Sequence, residues 1–325
     1  MERIIIDTDP GIDDMFAIML ALQSEEIVIE GITTVEGNGR LEDVTNNAMK
    51  ILTMMGRTDI KVYKGCKLSH GHGFDIVEEI HGRDAMGDVV SCDMIDMSYE
   101  DEYAVDYILR TIKENPGEIT LATLGPLINI AEAIKKEPET MKLVKRIVMM
   151  GGAIEGGNVN AYAEANFFND AEAAKAIVAS HIPEKVMIGL DGTHKMQISS
   201  DVREIFNTID SELAHTIYKI TQTYVDFYWK QLEVRGFIPH DVLVIMYLID
   251  PDIAMIKNCY IAIETEGIRR GQSVVSFNNV TYNAKVCTDA HSEQAIRLLF
   301  SRLFPKQQQD VELMLDRIYT RNYNM

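Results

Sequence analysis

The chain has 325 residues, 46% apolar and 25% charged, a globular composition that excludes global disorder and fibrous architecture. Fifty acidic against 31 basic side chains leave a formal charge of −19. Nucleic-acid polymers and anionic membrane surfaces need clustered Lys and Arg to displace counterions, so they are poor partners for this chain; a small ligand fits better.

Residues 3–6 read as a strand, and residues 13–22 follow as a helix that is apolar on every side and therefore expected to be buried. Residues 27–35, rich in β-branched side chains, form the second strand signal, with a helix over 41–55. Residues 69–88 are rich in Gly and His with little periodicity and read as a lid or binding loop. The alternation resumes with a strand at 119–122, a helix from about Pro126, a strand at 146–150, a helix from Asp170 and a strand at 186–190. Residues 211–241 carry a long helical pattern with Tyr218, Tyr224, Tyr228 and Trp229. Strands alternating with helices imply right-handed crossovers. The fold class expected is α/β, an open, mostly parallel central sheet with helices on both faces.

No repeat, low-complexity stretch or Pro- or Ser-rich linker divides the sequence, so one domain over residues 1–325 is expected. Cys66, Cys92, Cys259 and Cys287 are widely spaced with no C-x-x-C pair and read as reduced thiols. The N-terminus lacks the basic and apolar regions of a signal peptide. No apolar run approaches the roughly 18 residues of a membrane span. A cytoplasmic protein is expected.

The strongest local signal is Asp7-Thr8-Asp9-Pro10-Gly11-Ile12-Asp13-Asp14, four carboxylates where the first strand turns into the first helix. Ligands of open parallel sheets bind beyond the carboxyl ends of the strands, and this is such an end. Asp13 and Asp14 alone would be explained as first-turn acids favoured by the helix dipole. Four anions this close need protons or a cation, and oxygen donors favour Ca²⁺ or Mg²⁺ over zinc. An EF-hand fails in both registers, because its Gly and Glu positions hold Asp14 and Leu20, or Ile12 and Ile18. A haloacid-dehalogenase-like phosphatase would use Asp7 as nucleophile with Mg²⁺, but Gly11 stands where that pattern wants Thr or Val.

DTDPGIDD directly after a strand resembles the opening of the nucleoside hydrolase family, inosine–uridine-preferring type. Further segments match in order: GITTVEGN (31–38), HGRDAMG (81–87), GPLINIA (125–131), MGG (150–152), GNVN (157–160), AEANFFNDAEAA (163–174), LDGTH (190–194) and HDVLVIMYLIDP (240–251). The resemblance covers nearly the whole chain. It implies a Ca²⁺-dependent enzyme of nucleoside salvage that hydrolyses the N-glycosidic bond of ribonucleosides, and a homodimer or homotetramer.

Carried over residue by residue, Asp9, Asp14 and Asp241 would ligate Ca²⁺ through carboxylates, and Leu124 through its main-chain carbonyl. Asp13, Asn38, Met150, Asn158, Glu164, Asn166 and Asp241 would surround the ribose, and Asp7 has no assigned role. Bond cleavage develops oxocarbenium character on the sugar, which carboxylates and amide oxygens stabilise. Asp9 would accept the proton of the attacking water as general base. His240 and His81, expected to titrate near neutrality, would assist the departing base, and Tyr228, with Tyr224, would line its pocket. His70, His72, His194 and His215 read as structural or loop residues. Purine-specific members stack the base on tryptophans; here Trp229 is the only one, and the pattern leans towards inosine–uridine or pyrimidine preference. The chain departs from the family at Ala165, where an aromatic is frequent, at Val242 after His240-Asp241, and at Leu232, where some relatives carry a polar base contact. A non-catalytic nucleoside- or ribose-binding protein is the remaining alternative.

Overall fold

The computed structural model describes residues 1–68 and 78–322. His70, His72 and most of the first half of the expected lid lie outside the described residues. Eleven strands occur among them: β1 (Glu2–Thr8), β2 (Ile27–Thr34), β3 (Val62–Lys64), β4 (Ile119–Thr123), β5 (Arg146–Met150), β6 (Lys185–Ile188), β7 (Ile198–Ser199), β8 (Gly236–Phe237), β9 (Ala254–Ile263), β10 (Ser273–Ser276) and β11 (Ala284–Ala290). Nine form one sheet in the order β10-β9-β11-β6-β5-β4-β1-β2-β3; β7 and β8 pair separately. From β11 to β3 every pairing is parallel, and β9 and β10 add antiparallel to the β11 edge.

The alternation of strand side chains builds a core on each face. Ile4 and Ile6 of β1 join one apolar cluster and Ile5 the other; Val148 and Ile147 of β5 divide the same way. A sheet covered on both faces accounts for the unbroken apolar runs of these strands. The first face packs against the helices Ile12–Leu22, Leu41–Met54, Glu212–Leu232 and Val242–Ile249. The second packs against Ala104–Glu114, Ile128–Lys136 and Ala171–Ala179. The sheet is mostly parallel with helices on both faces, as expected.

The chain order explains where a site can form. β1, β2 and β3 run towards one edge with their helices on one face; β4 then returns to the other side of β1 with its helix on the opposite face. Right-handed crossovers force helices to change face when strand order reverses. The reversal lies between β1 and β4, and the carboxyl ends of these two strands carry Asp9 and Leu124. A crevice opens at such a point.

Element ends shift slightly from the sequence reading. The helix expected from about Pro126 starts at Ile128. Asp170 caps the following helix, its carboxylate accepting from the Ala173 N–H at 2.9 Å. The long helical pattern stops at Leu232, where Glu233 takes the left-handed conformation with φ of 55°. The antiparallel edge had no counterpart in the sequence reading. β9 exposes alternate residues to solvent, so its apolar signal is diluted by polar side chains. Among the described residues the four cysteines are unpaired, with only Cys92 exposed, and no helix is long and apolar enough to cross a membrane.

Helix Ser200–Thr208 is fastened to the first core by Phe206, which is fully buried and stacks on Phe300 with ring centroids 4.6 Å apart. Phe206→Ala is expected to cost about 3–5 kcal/mol, read as a lowered denaturation midpoint at unchanged slope.

Candidate active site

β1 ends at Thr8, and the Asp9-Pro10-Gly11 turn delivers the chain into the Ile12–Leu22 helix, whose first turn holds Asp13 and Asp14. Asp241 stands at the start of the Val242–Ile249 helix, which packs against the first. Two helix N-termini therefore converge on the carboxylates, and both dipoles favour negative charge there. Oxygens of Asp13, Asp14 and Asp241 lie within 4.8 Å of one another, a group that can hold a metal ion.

Hydrogen bonds fix this cluster. The Gly11 N–H donates to Asp14 Oδ2 at 2.9 Å, and the Thr8 hydroxyl donates to Asp14 Oδ1. Asn38, beyond the end of β2, donates its backbone N–H to Asp9 Oδ2 at 2.7 Å and its side-chain amide to Asp14 Oδ2 at 3.1 Å. Tyr224 donates to Asp13 Oδ2 at 3.3 Å. Asp9 Oδ1 and Asp13 Oδ1 are buried without a hydrogen-bond partner. No ion pair among the described residues reaches any of the four carboxylates. Burial, followed by mutual repulsion, raises the carboxyls of Asp9 and Asp241 well above the usual range and that of Asp13 to about 7. Asp14 rises for the same first reason.

Glycines make room for Asp9. A Cβ on Gly37 would collide with Asp9 Oδ2, and one on Gly125 with Oδ1. Neither position needs a left-handed backbone, so the requirement for glycine at both is steric.

The cluster borders a pocket of about 540 Å³. Asp13, Asn38, His81, Leu124, Met150, Asn158, Glu164, Asn166, Tyr228, His240 and Asp241 all line it, which brings together eleven of the expected site residues. Asp9 and Asp14 do not line it; Asn38, which does, is bonded to both. The Asn166 amide donates to the carbonyl of Leu124 at 2.7 Å and to that of Met150 at 3.3 Å. Glu164 is buried and accepts from the N–H groups of Gly152, Asn166 and Phe167 at 2.7, 2.8 and 3.2 Å. Asn158 Oδ1 accepts from Ala165 N–H at 2.9 Å.

Two of the pocket histidines, His81 and His240, depart from expectation. Burial pushes both down to about 3, so they are neutral at pH 7 rather than poised near neutrality. His81 Nδ1 accepts from the Ile12 N–H at 3.2 Å; a backbone N–H can only donate, so the His81 proton sits on Nε2. Asn47 holds the His81 loop to the Pro10 turn, donating to the carbonyls of Pro10 and Asp84 at 3.0 and 2.6 Å. Buried Lys50 pairs with Asp84 at 2.9 Å. His240 lies between Thr193 Oγ1 at 2.7 Å from Nδ1 and Tyr228 Oη at 3.0 Å from Nε2.

Sequence reasoning missed part of the wall. Phe227 and Gln231 line the pocket beside Tyr224 and Tyr228, and spacings of three, four and seven along the Glu212–Leu232 helix were the signal available. His194, read as structural, also lines the pocket, its ring 5.7 Å from that of His240. His215 is exposed on the same long helix, and Trp229 is 51% exposed and outside the pocket. Asp7 is fully buried and outside it too, its Oδ1 accepting from Thr33 at 2.6 Å and Asn129 at 2.7 Å. Unlike Asp9, which is bonded to the pocket residue Asn38, Asp7 has its partners outside the pocket lining, which removes it as a nucleophile.

Fold and site thus define an α/β protein whose parallel sheet carries, at the carboxyl ends of its strands, a pocket bordered by buried carboxylates. Residues 4–297 match the family model of the inosine-uridine preferring nucleoside hydrolases. The chain is 33% identical over 316 residues to the probable uridine nucleosidase 2 of Arabidopsis thaliana, covering 93% of this chain and 97% of that one. Among solved structures it is similar to the plant nucleoside hydrolase PpNRh1, with TM-score 0.88, 31% identity and coverage of 93% and 98%. It is also similar to the purine-preferring ribonucleoside hydrolase from Gardnerella vaginalis, with TM-score 0.87, 30% identity and the same coverage. The chain belongs to the inosine-uridine preferring nucleoside hydrolase family, and it is a nucleoside N-glycosidase.

Gly125→Ala is expected to keep the fold while displacing the Asp9 carboxylate. Misplacement of a reacting group by about 1 Å costs on the order of 10²-fold in rate, and a ribose-release assay on folded variant protein measures the loss.

Proposed function

We propose that the protein hydrolyses ribonucleosides to ribose and free base with Ca²⁺ as its metal. The observation that carries this reading is the buried group of Asp13, Asp14 and Asp241, with Asp9 joined to it through Asn38, bordering a pocket with a polar end and an aromatic wall. The donor set fits a hard dication: the side chains are all carboxylates, two of their buried oxygens lack partners, and no cationic side chain among the described residues neutralises them. Asp9, Asp14 and Asp241, with the Leu124 carbonyl, are the residues that would hold it. When bound, Ca²⁺ anchors ribose hydroxyls and acidifies a water molecule.

The remaining work falls to the chain itself. Asp9, with its free Oδ1, accepts the proton of the attacking water. Asp13, Asn38, Glu164 and Asn166 orient the ribose and face the positive charge that develops at C1′ and the ring oxygen. Burial makes each such interaction stronger than it would be in water. Tyr228, Tyr224 and Phe227 form the wall against which the base lies. His81 meets the departing base as a neutral hydrogen-bond donor and His240 acts on it through Tyr228, because burial denies both histidines a positive charge. One relative carries uridine in its name and another is purine-preferring; the tyrosine wall without a pocket tryptophan supports uridine or inosine here.

Two measurements test this reading. Incubation with Ca²⁺ and a panel of inosine, uridine, cytidine and adenosine is expected to release free ribose, lost on chelation and in Asp9→Ala; silence across the panel overturns it. The second concerns pH. Without metal, the folded chain keeps protons on Asp7 up to about 6 and on Asp13 up to about 7, whereas the unfolded chain releases them near 3.8. His81 and His240, held at about 3 in the folded chain, act the other way below their ordinary value of 6.5, so the carboxyls decide the slope only above it; there the folded state binds more protons than the unfolded state and stability falls as pH rises. Chelated protein should therefore melt lower at about pH 8.5 than at about pH 7, and Ca²⁺ should raise Tm more at the higher pH, where it displaces fewer protons. A Tm indifferent to Ca²⁺ at both pH values counts against the metal.

A further inference from the structure

Beyond the residues that face the pocket, one buried hydroxyl has a directional consequence. Thr193 closes the four-residue helix Leu190–Thr193 that follows β6, and its side chain is fully buried. Its hydroxyl makes one hydrogen bond among the described residues, to His240 Nδ1 at 2.7 Å. If His240 carried its proton on Nδ1, the Thr193 hydroxyl proton would be buried with no acceptor, which is costly. Donation from Thr193 to Nδ1 satisfies every group: the His240 proton moves to Nε2 and is donated to Tyr228 Oη at 3.0 Å. The Tyr228 proton is then left with the Ile238 carbonyl at 3.4 Å, a long contact, with the neighbouring Tyr224 hydroxyl, whose own proton goes to Asp13, or with whatever occupies the pocket that Tyr228 lines. The opposite direction would spend the Tyr228 proton on His240.

We propose that Thr193 is a positioning residue whose hydroxyl holds His240 as the Nε2–H form, so that the Tyr228 O–H is directed at the departing base. The chain Thr193–His240–Tyr228 runs outward as three donors in series. It parallels His81, whose Nδ1 is occupied by the Ile12 N–H. The assignment rests on the hydrolysis of ribonucleosides proposed above and names a residue that acts through another.

Thr193→Val removes the hydroxyl at nearly constant shape, and Thr193→Ser restores it. Both variants and the wild type would be assayed with uridine, or the panel's fastest ribonucleoside, and with p-nitrophenyl β-D-ribofuranoside, whose leaving group departs without a donor. Thr193→Val should lower kcat on the nucleoside by about tenfold to a hundredfold with little change in KM. The aryl riboside should lose less than about threefold, and Thr193→Ser should recover most of the nucleoside rate. Equal losses on both substrates, or none on the nucleoside, overturn the proposal. Nitrogen-15 spectra of the labelled imidazoles supply a readout independent of turnover: His240 should be protonated on Nε2 in the wild type and lose that preference in Thr193→Val. An active wild type with His240 protonated on Nδ1 overturns the role of Thr193 alone. A wild type inert towards both substrates overturns the hydrolase reading on which it rests.

Discussion

Asp9, Asp13, Asp14 and Asp241 are withdrawn from water at the meeting of two helix N-termini, with no lysine or arginine among the described residues to balance them. An isolated buried carboxylate is among the most expensive groups a fold can carry, and neighbouring ones repel one another as well. Partial positive charge at the two helix ends offsets a fraction of this. The hydrogen bonds from Thr8, Gly11, Asn38 and Tyr224 offset more, and protons or a dication must supply the rest.

Much of the surrounding architecture is intelligible as support for that cluster. The strand order reverses between β1 and β4, which opens a crevice above their ends and lets the Asp9 turn and Leu124 face one another across it. Gly37 and Gly125 lack side chains because the Asp9 carboxylate occupies the space a Cβ would need. Below the cluster, Asn129 donates to Asp7 and to the Thr34 carbonyl and accepts from the Cys66 N–H, tying together the ends of three neighbouring strands. Such a network rigidifies the platform from which the carboxylates project.

The same dryness shapes the other side of the pocket. A histidine exposed to water would exchange between protonated and neutral forms near neutrality; His81 and His240 are held in one form, and each has a hydrogen bond to Nδ1. Their chemistry is therefore that of oriented neutral donors. A leaving base approached by fixed dipoles needs no reorganisation of its surroundings as charge develops on it.

The sequence by itself determined the parallel core and the place of the chemistry. Apolar β-branched runs alternating with helical patterns admit few other folds, and four aspartates at a strand end are conspicuous in one dimension. It also marked Leu124 and Asp241, far from Asp9 in the chain, but only through resemblance to a family. What no linear pattern could decide was exposure and direction. The antiparallel edge of β9 and β10 escaped notice because half of its side chains face solvent. The histidines look titratable in the sequence because desolvation depends on neighbours brought from Thr193, Tyr224 and Tyr228. Asp7 and Asp9 are two residues apart and chemically identical, yet β1 ends between them and the side chains around them differ: Asp7 is sealed among Thr33 and Asn129, and Asp9 is joined to the carboxylate cluster through Asn38. Packing assigns those environments, and packing is a property of the folded chain.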